Sequence, residues 1–310
     1  MHFACYVLAK KVSESNIRAQ AYPAISGIRR TMSLLKKTKS LLRTYKIFPK
    51  KRLGQNFMID EDLLRLMISH ASVDKNDVVL EIGAGMGTLT RLLSQECRQV
   101  IAVEVDPHLM RILKTETKDL NNVELVEGDV LKVSVSYFSK TVSNPPFHIS
   151  SPILFWLLEK KFDCAVLTFQ KEFAERMVAA VGGKDYGRLT VMTYIHADVE
   201  LLNLVSKDRY YPPPEVDSYI VRLKPRMPPF AVKDKQVFSE LVRTLFTQRN
   251  RKVRNAVTRF LVKLGIEKAK VLEVADSLFF HDKRVRELAP EDFEVLANEI
   301  LEKKAIMNFS

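Results

Sequence analysis

Cysteine is scarce: Cys5, Cys97 and Cys164 are the three in 310 residues, and none has the paired spacing of a zinc site or a redox couple. They are expected as reduced, mostly buried thiols in a reducing compartment, and no metal is expected. No run of apolar residues is long enough to cross a bilayer, which argues for a cytoplasmic protein without a membrane partner. Internal repeats and low-complexity tracts are missing too. Acids thin out in two places. Residues 1–47 carry ten basic residues against the single acid Glu14, and residues 243–259 carry six basic residues and no acid.

With 46% hydrophobic residues over 310, the chain can bury one large domain and a smaller one. Lysine and arginine total 49 against 37 acids, a formal net charge of +12; such an excess favours a polyanionic partner through phosphate contacts and counterion release. Residues 1–47 show no clear apolar period and are read as a basic, disordered extension. A secretory signal does not fit, because Lys10 and Lys11 cut the apolar stretch short. A mitochondrial transit peptide and an over-long reading frame with its true start at Met32 are the competing readings.

From Asp77 onward, short apolar runs alternate with helix-length stretches, the pattern of a doubly wound α/β sheet. Strands are expected at Val78–Ile82, Val100–Val105, Val123–Val126, Lys140–Ser143 and Cys164–Phe169. Helices are expected at Leu89–Glu96, His108–Leu120 and Leu189–His196. Val199–Val205 and Ser218–Leu223, joined by a short turn segment, read as an antiparallel hairpin closing one edge, for seven strands in all. Composition shifts near residue 226, and the rest reads as helical, with periods near 3.6 in Phe238, Leu241, Val242, Leu245, Phe246 and in Val253, Ala256, Val257, Phe260, Leu261. The expected layout is an extension over 1–47, a catalytic domain over 48–225 and a helical domain over 226–310.

The chemistry concentrates at strand ends. Glu81-Ile82-Gly83-Ala84-Gly85-Met86-Gly87 follows the first strand, and its glycines let the backbone turn close to a cofactor. Thr88 stands where a dinucleotide site would carry another glycine, so the loop suits a cofactor without a pyrophosphate. Glu104, ending the second strand, is placed to accept from ribose hydroxyls, and Asp129, after the third, to accept from an adenine amine. The fourth strand ends in Asn144-Pro145-Pro146-Phe147. An adenine exocyclic amine is a poor nucleophile, because its lone pair is delocalised into the ring. The Asn144 amide oxygen and the Pro145 carbonyl could hold its two N–H bonds and aim the lone pair, while Phe147 stacks on the base. No strong base is needed, since the methylated nitrogen is acidic as it forms. Asn144, Pro145 and Phe147 are therefore the candidate catalytic residues.

Taken together the chain resembles the KsgA family of small-subunit ribosomal RNA adenine dimethyltransferases, archaeal-type, over roughly residues 50–260. The matching segments are 51–57 (KRLGQNF), 81–87, 169–176 (FQKEFAER), 186–189 (YGRL), 212–218 (PPPEVDS) and 248–255 (QRNRKVRN). The resemblance implies a class I, Rossmann-like methyltransferase fold with a small all-helical carboxyl-terminal domain, and S-adenosyl-L-methionine as cofactor. It implies cofactor contacts by Asn56, Met58, Gly83, Gly85, Glu104, Asp129 and Asn144. The implied activity is dimethylation of two adjacent adenines near the 3′ end of small-subunit ribosomal RNA during ribosome assembly. The family usually has leucine and tyrosine where Pro146 and Phe147 stand, which bears on the number of methyl groups added.

The expected partner is the pre-ribosomal small subunit, bound by a monomer. Arg243, Arg249, Arg251, Lys252, Arg254 and Arg259, set on a helix, would share a face for tracking phosphates, with Lys51 and Arg52 extending it. The RNA-binding residues singled out are Lys51, Arg52, Arg249, Arg251, Lys252 and Arg254. Two alternatives remain open at this point: a non-catalytic RNA-binding, assembly or transcription factor on the same fold, and an adenine methylase of another nucleic acid.

Overall fold

A computed structural model describes residues 33–50 and 53–308; the readings made for residues 1–32, Lys51 and Arg52 lie outside the described residues. The chain order is α1 (Leu34–Thr44), β1 (Phe57–Met58), α2 (Glu61–His70), β2 (Val78–Ile82), α3 (Thr88–Glu96), β3 (Gln99–Glu104), α4 (Pro107–Glu116) and β4 (Val123–Glu127). Next come β5 (Lys140–Ser143), α5 (Ser150–Leu158), β6 (Cys164–Gln170), α6 (Lys171–Met177), α7 (Arg188–His196), β7 (Ala197–Val205), β8 (Tyr210–Tyr211) and β9 (Ser218–Pro225). Only helices follow: α8 (Lys235–Phe246), α9 (Val253–Ala256), α10 (Thr258–Lys263), α11 (Val271–Ser277) and α12 (Pro290–Asn308).

Seven strands form one sheet in the order β4-β3-β2-β5-β6-β9-β7. The first five run parallel, and β9 is antiparallel to both β6 and β7. Central strands are buried on both faces, so β2 reads Val-Val-Leu-Glu-Ile with every residue buried. From β2 the chain builds outward through β3 to β4, then returns to lay β5 on the other side of β2. The carboxyl ends of β2 and β5 therefore flank a topological switch point, where open α/β sheets bind ligands.

Helix starts follow local rules. Asp106 caps α4, accepting from His108 N at 3.0 Å ahead of Pro107, and Asp234 caps α8, accepting from Gln236 N at 2.8 Å. Tyr186 together with Val191, Met192 and Ile195 of α7 packs into the same apolar core as α8–α12, and Tyr186 Oη donates to Leu288 O at 2.8 Å. The helical part thus shares a core with the last helix of the sheet region, and residues from Leu34 on form one compact unit.

Three expectations need correction. The basic extension does not run to residue 47, because residues 34–44 fold as α1. Leu42 and Thr38 are buried, with Leu42 packed on Met86, Leu109 and Ile112; a short apolar stripe was masked by the surrounding lysines. The connection between the last two strands is not a short turn. It holds β8, which pairs antiparallel with β1 through Phe57–Tyr211 and Met58–Tyr210. Nor do the arginines and lysine of 243–259 share one helix, since the stretch is broken into the end of α8, a turn, α9 and α10. Packing of Val253, Ala256, Val257, Phe260 and Leu261 into the helical core imposes those bends.

Candidate active site

The glycine loop wraps around the end of β3, with Gly83 N and Ala84 N both donating to Val103 O at 2.8 and 3.0 Å. Gly83 has φ of 76°, strained for any other residue, and a Cβ there would lie 3.1 Å from Pro146 Cδ, so glycine lets the loop and the Asn144–Phe147 tetrad pack closely. Gly54 makes a second close approach: its Cβ would lie 2.8 Å from His148 Nδ1, at a φ of 57°. Three segments, 53–58, 83–87 and 144–148, thereby converge on one edge of the sheet.

Two adjoining depressions open there. One, about 720 Å³, is lined by Asn56, Met58, Gly83, Gly85, Glu104 and Asn144 among others. The other, about 680 Å³, carries Gly83, Glu104, Asp129, Pro146 and His148 in an otherwise largely aliphatic wall. Gly83, Glu104 and Pro146 line both, so Glu104 stands where the two meet.

The electrostatics are set by burial. Glu81 and Glu104 are 2% and 5% exposed, and no ion pair to either occurs among the described residues. Burial pushes the Glu81 carboxyl up to about 8, moderated by the Thr90 hydroxyl that donates to it at 2.6 Å and aggravated by the Glu104 charge. Burial also raises Glu104, against the pull of Asp106 N and Gly85 N, each donating at 2.8 Å. Asp106 goes the other way. Burial opposes its charge, but Lys50 Nζ and Gln55 Nε2, both at 2.8 Å, with His108 N, hold it below the usual carboxylate range. That network ties the strap before β1 to the start of α4.

Asn144 is half-buried at the end of β5. Its Nδ2 donates to Asn56 O at 3.2 Å and its Oδ1 accepts from the Thr168 hydroxyl. The oxygen expected to meet a substrate amine thus already has one internal partner, leaving its second lone pair for a substrate. Pro145 is buried, and Phe147, 9% exposed, packs edge-on to Tyr210 with ring centroids 5.9 Å apart. Asp129 Oδ1 accepts from Leu131 N at 3.1 Å. Cys97 and Cys164 are buried free thiols away from both depressions, burial pushing Cys97 up to about 11.

The cofactor-site residues singled out from sequence are all brought to this edge. The basic residues are not used alike. Arg249 donates to Gly183 O and Lys184 O, at 2.7 and 2.6 Å, and so joins α8's end to the loop before α7. Lys252 pairs with Asp282 at 2.8 Å, and Arg254 lies 3.7 and 3.9 Å from Asp276 and Asp282. Arg251 and Arg259 are exposed and line an open hollow with Arg249 and Asn255. Sequence reasoning missed Thr168, Tyr210 and the Lys50–Gln55–Asp106 network. A lone hydroxyl inside the apolar β6 run Cys-Ala-Val-Leu-Thr-Phe was the one available signal for the first.

The sequence model described as Ribosomal RNA adenine dimethylase matches residues 48–298. The chain belongs to the ribosomal RNA adenine dimethylase family. Members of this family are S-adenosylmethionine-dependent methyltransferases of ribosomal RNA adenine, and this chain is one of them. It is 45% identical over 236 residues to a probable ribosomal RNA small subunit methyltransferase A of Methanopyrus kandleri, covering 76% of this chain and 85% of that one. A like-named protein of Pyrococcus abyssi is 40% identical over 268 residues, covering 86% and 97%. Among solved structures, a dimethyladenosine transferase from Plasmodium falciparum superposes with a TM-score of 0.69 at 30% identity, over 80% of this chain and 98% of that one. The 23S rRNA methyltransferase ErmE gives 0.58 at 28% identity, over 79% and 99%.

The residues of this family member fit its cofactor. Gly83 leaves room for close approach, and the buried Glu104 carboxylate, with no ion pair among the described residues, lines the depression where a molecule bearing hydroxyls and positive charge could meet it.

Proposed function

We propose that this dimethylase acts on the N6 amines of two adjacent adenines near the 3′ end of small-subunit ribosomal RNA, on an assembling small subunit, as a cytoplasmic monomer. The observation that carries the reading is the contact of the Asn144–Phe147 tetrad with the glycine loop, which puts the candidate amine acceptors beside the cofactor cavity. The small-subunit assignment is supported by relatives 38–45% identical that bear that name.

S-adenosylmethionine supplies an electrophilic methyl group. Glu104 would take its ribose hydroxyls and Asp129 its adenine amine, Gly83 and Gly85 would let it approach, and Asn56, Met58 and Asn144 would close the site. Asn144 Oδ1 and the Pro145 carbonyl hold the substrate amine so that its lone pair points at the methyl carbon. The amine would take the methyl group from the sulfonium, which would leave as a neutral thioether, and the new ammonium would lose its proton to solvent. Phe147 flanks the base. On the RNA side, Arg251 and Arg259 contact phosphates; Lys51 and Arg52 join them; and Lys252, Arg254 and Arg249 serve chiefly to shape that surface.

The test is transfer of labelled methyl groups to small subunits that lack the modification, with the product nucleotide mapped by mass spectrometry. Dimethyladenosine at two neighbouring positions is expected, absent with Asn144→Ala. Intact cofactor binding without transfer, or label on large-subunit RNA alone, would overturn the reading.

A further inference from the structure

Asn144 is gripped from two sides, and the grip decides which end of its amide is oxygen. The Asn56 carbonyl can only accept, so the atom 3.2 Å from it is the amide nitrogen. The amide oxygen then faces the Thr168 hydroxyl, which must donate to it. A hydroxyl that gives its proton away can still accept, and the Tyr210 hydroxyl is its neighbour. Tyr210 Oη also pairs with Ser218 Oγ at 2.6 Å. Donation therefore runs from Thr168 to Asn144 to Asn56, with the paired Tyr210 and Ser218 hydroxyls beside it. Thr168, Tyr210 and Ser218 are 0%, 2% and 0% exposed, so solvent does not compete for these bonds.

Resting on the reading of adenine methyl transfer, we propose that Thr168 is a positioning residue for that reaction: its hydroxyl fixes the Asn144 amide so that the oxygen, and not the nitrogen, meets the substrate amine. A flipped amide would set donors against donors. The buried hydroxyl cluster draws on three strands, since Thr168 lies on β6, Tyr210 on β8 and Ser218 at the start of β9. Tyr210 also supports Phe147 from the side, so one buried ring steadies both the amide and the aromatic face. Because β8 pairs with β1, the residue after Asn56 belongs to the same ribbon as Tyr210.

Thr168→Val removes the hydroxyl and keeps the branched shape. With undermethylated small subunits as substrate, kcat is expected to fall ~10- to 100-fold, while KM for the subunit and cofactor Kd change less than about twofold. Thr168→Ser should recover most of the rate, and Tyr210→Phe, which retains the ring, should fall between. Wild-type kcat in Thr168→Val would overturn the proposal. So would a loss that Thr168→Ser does not recover, or one matched by lost cofactor affinity or thermal stability, the marks of a merely structural residue. If Thr168→Val does not fold, Thr168→Ala decides by the same criteria. Wild-type protein that binds cofactor but methylates nothing would instead fell the functional reading, and this inference with it.

Discussion

Two carboxylates sit at the ends of adjacent strands, and what separates them is their donors. Glu104 is met by two backbone N–H groups, whereas Glu81 has only the Thr90 hydroxyl. With its pKa pushed up to about 8 by burial, Glu81 is neutral in the folded protein at pH 7 and ionised in the unfolded chain, whose value is near 4.5. The folded state then holds the extra proton, so this group's contribution to stability is present below pH 4.5 and is lost as pH rises towards 8. Urea unfolding of the cofactor-free protein from pH 5 to 9 should show this decline, at most ~1.4 kcal/mol per pH unit for one proton. Glu81→Gln should flatten it. An unchanged slope in that variant would place the titration elsewhere.

At the scale of elements, α1 is the feature that ties the amino-terminal part of the described chain to the candidate site. Its Leu42 covers Met86 and Leu109, both of which line the depression that holds Asn56 and Asn144, and Lys37 pairs with Glu116 at 2.6 Å. Only the apolar contact is expected to matter, since an exposed ion pair contributes little. Leu42→Ala should cost about 2–3 kcal/mol in chemical denaturation and weaken cofactor binding measured by calorimetry, because the loosened residues form the cavity wall. Ser40→Ala, on the exposed face of the same helix, should change neither. Equal effects from both substitutions would show that α1 acts through something other than this packing. Helix periodicity failed to reveal α1 because three lysines lie within its first six residues and Thr38 occupies one buried position. The strands of the sheet were legible for the opposite reason: buried on both faces, they are nearly continuous apolar runs.

Across the whole molecule, the charge of +12 is partly spent internally. Arg249 holds backbone carbonyls, and Lys252 and Arg254 share Asp282, so the basic residues open to a polyanion are fewer than the count suggests. Arg251→Gln with Arg259→Gln should weaken RNA binding at every sequence and lower the slope of log affinity against log salt by roughly 1.4–1.8, about 0.7–0.9 per phosphate contact. Cofactor binding should not change. Arg249→Gln should act differently, lowering thermal stability because it releases the joint between α8 and the loop before α7. A salt slope unaltered by the double substitution would move the RNA surface elsewhere.

The positions of the sheet strands along the chain, the glycine loop and the acids at successive strand ends were set by local rules: apolar runs, glycine at positive φ, and polar residues where a strand leaves the core. Those features depend on residues close together in sequence, and Asn144 with Pro145 could be read from them. What the tertiary structure alone decided is which polar atoms meet. Thr168 joins Asn144 across 24 residues, Lys50 and Gln55 reach Asp106 across 56 and 51, and Asp282 meets Lys252 across 30. Such pairs carry no periodic signal, because a hydrogen bond needs two atoms within about 3 Å and nothing in the linear spacing tells which partners the fold will bring to that distance.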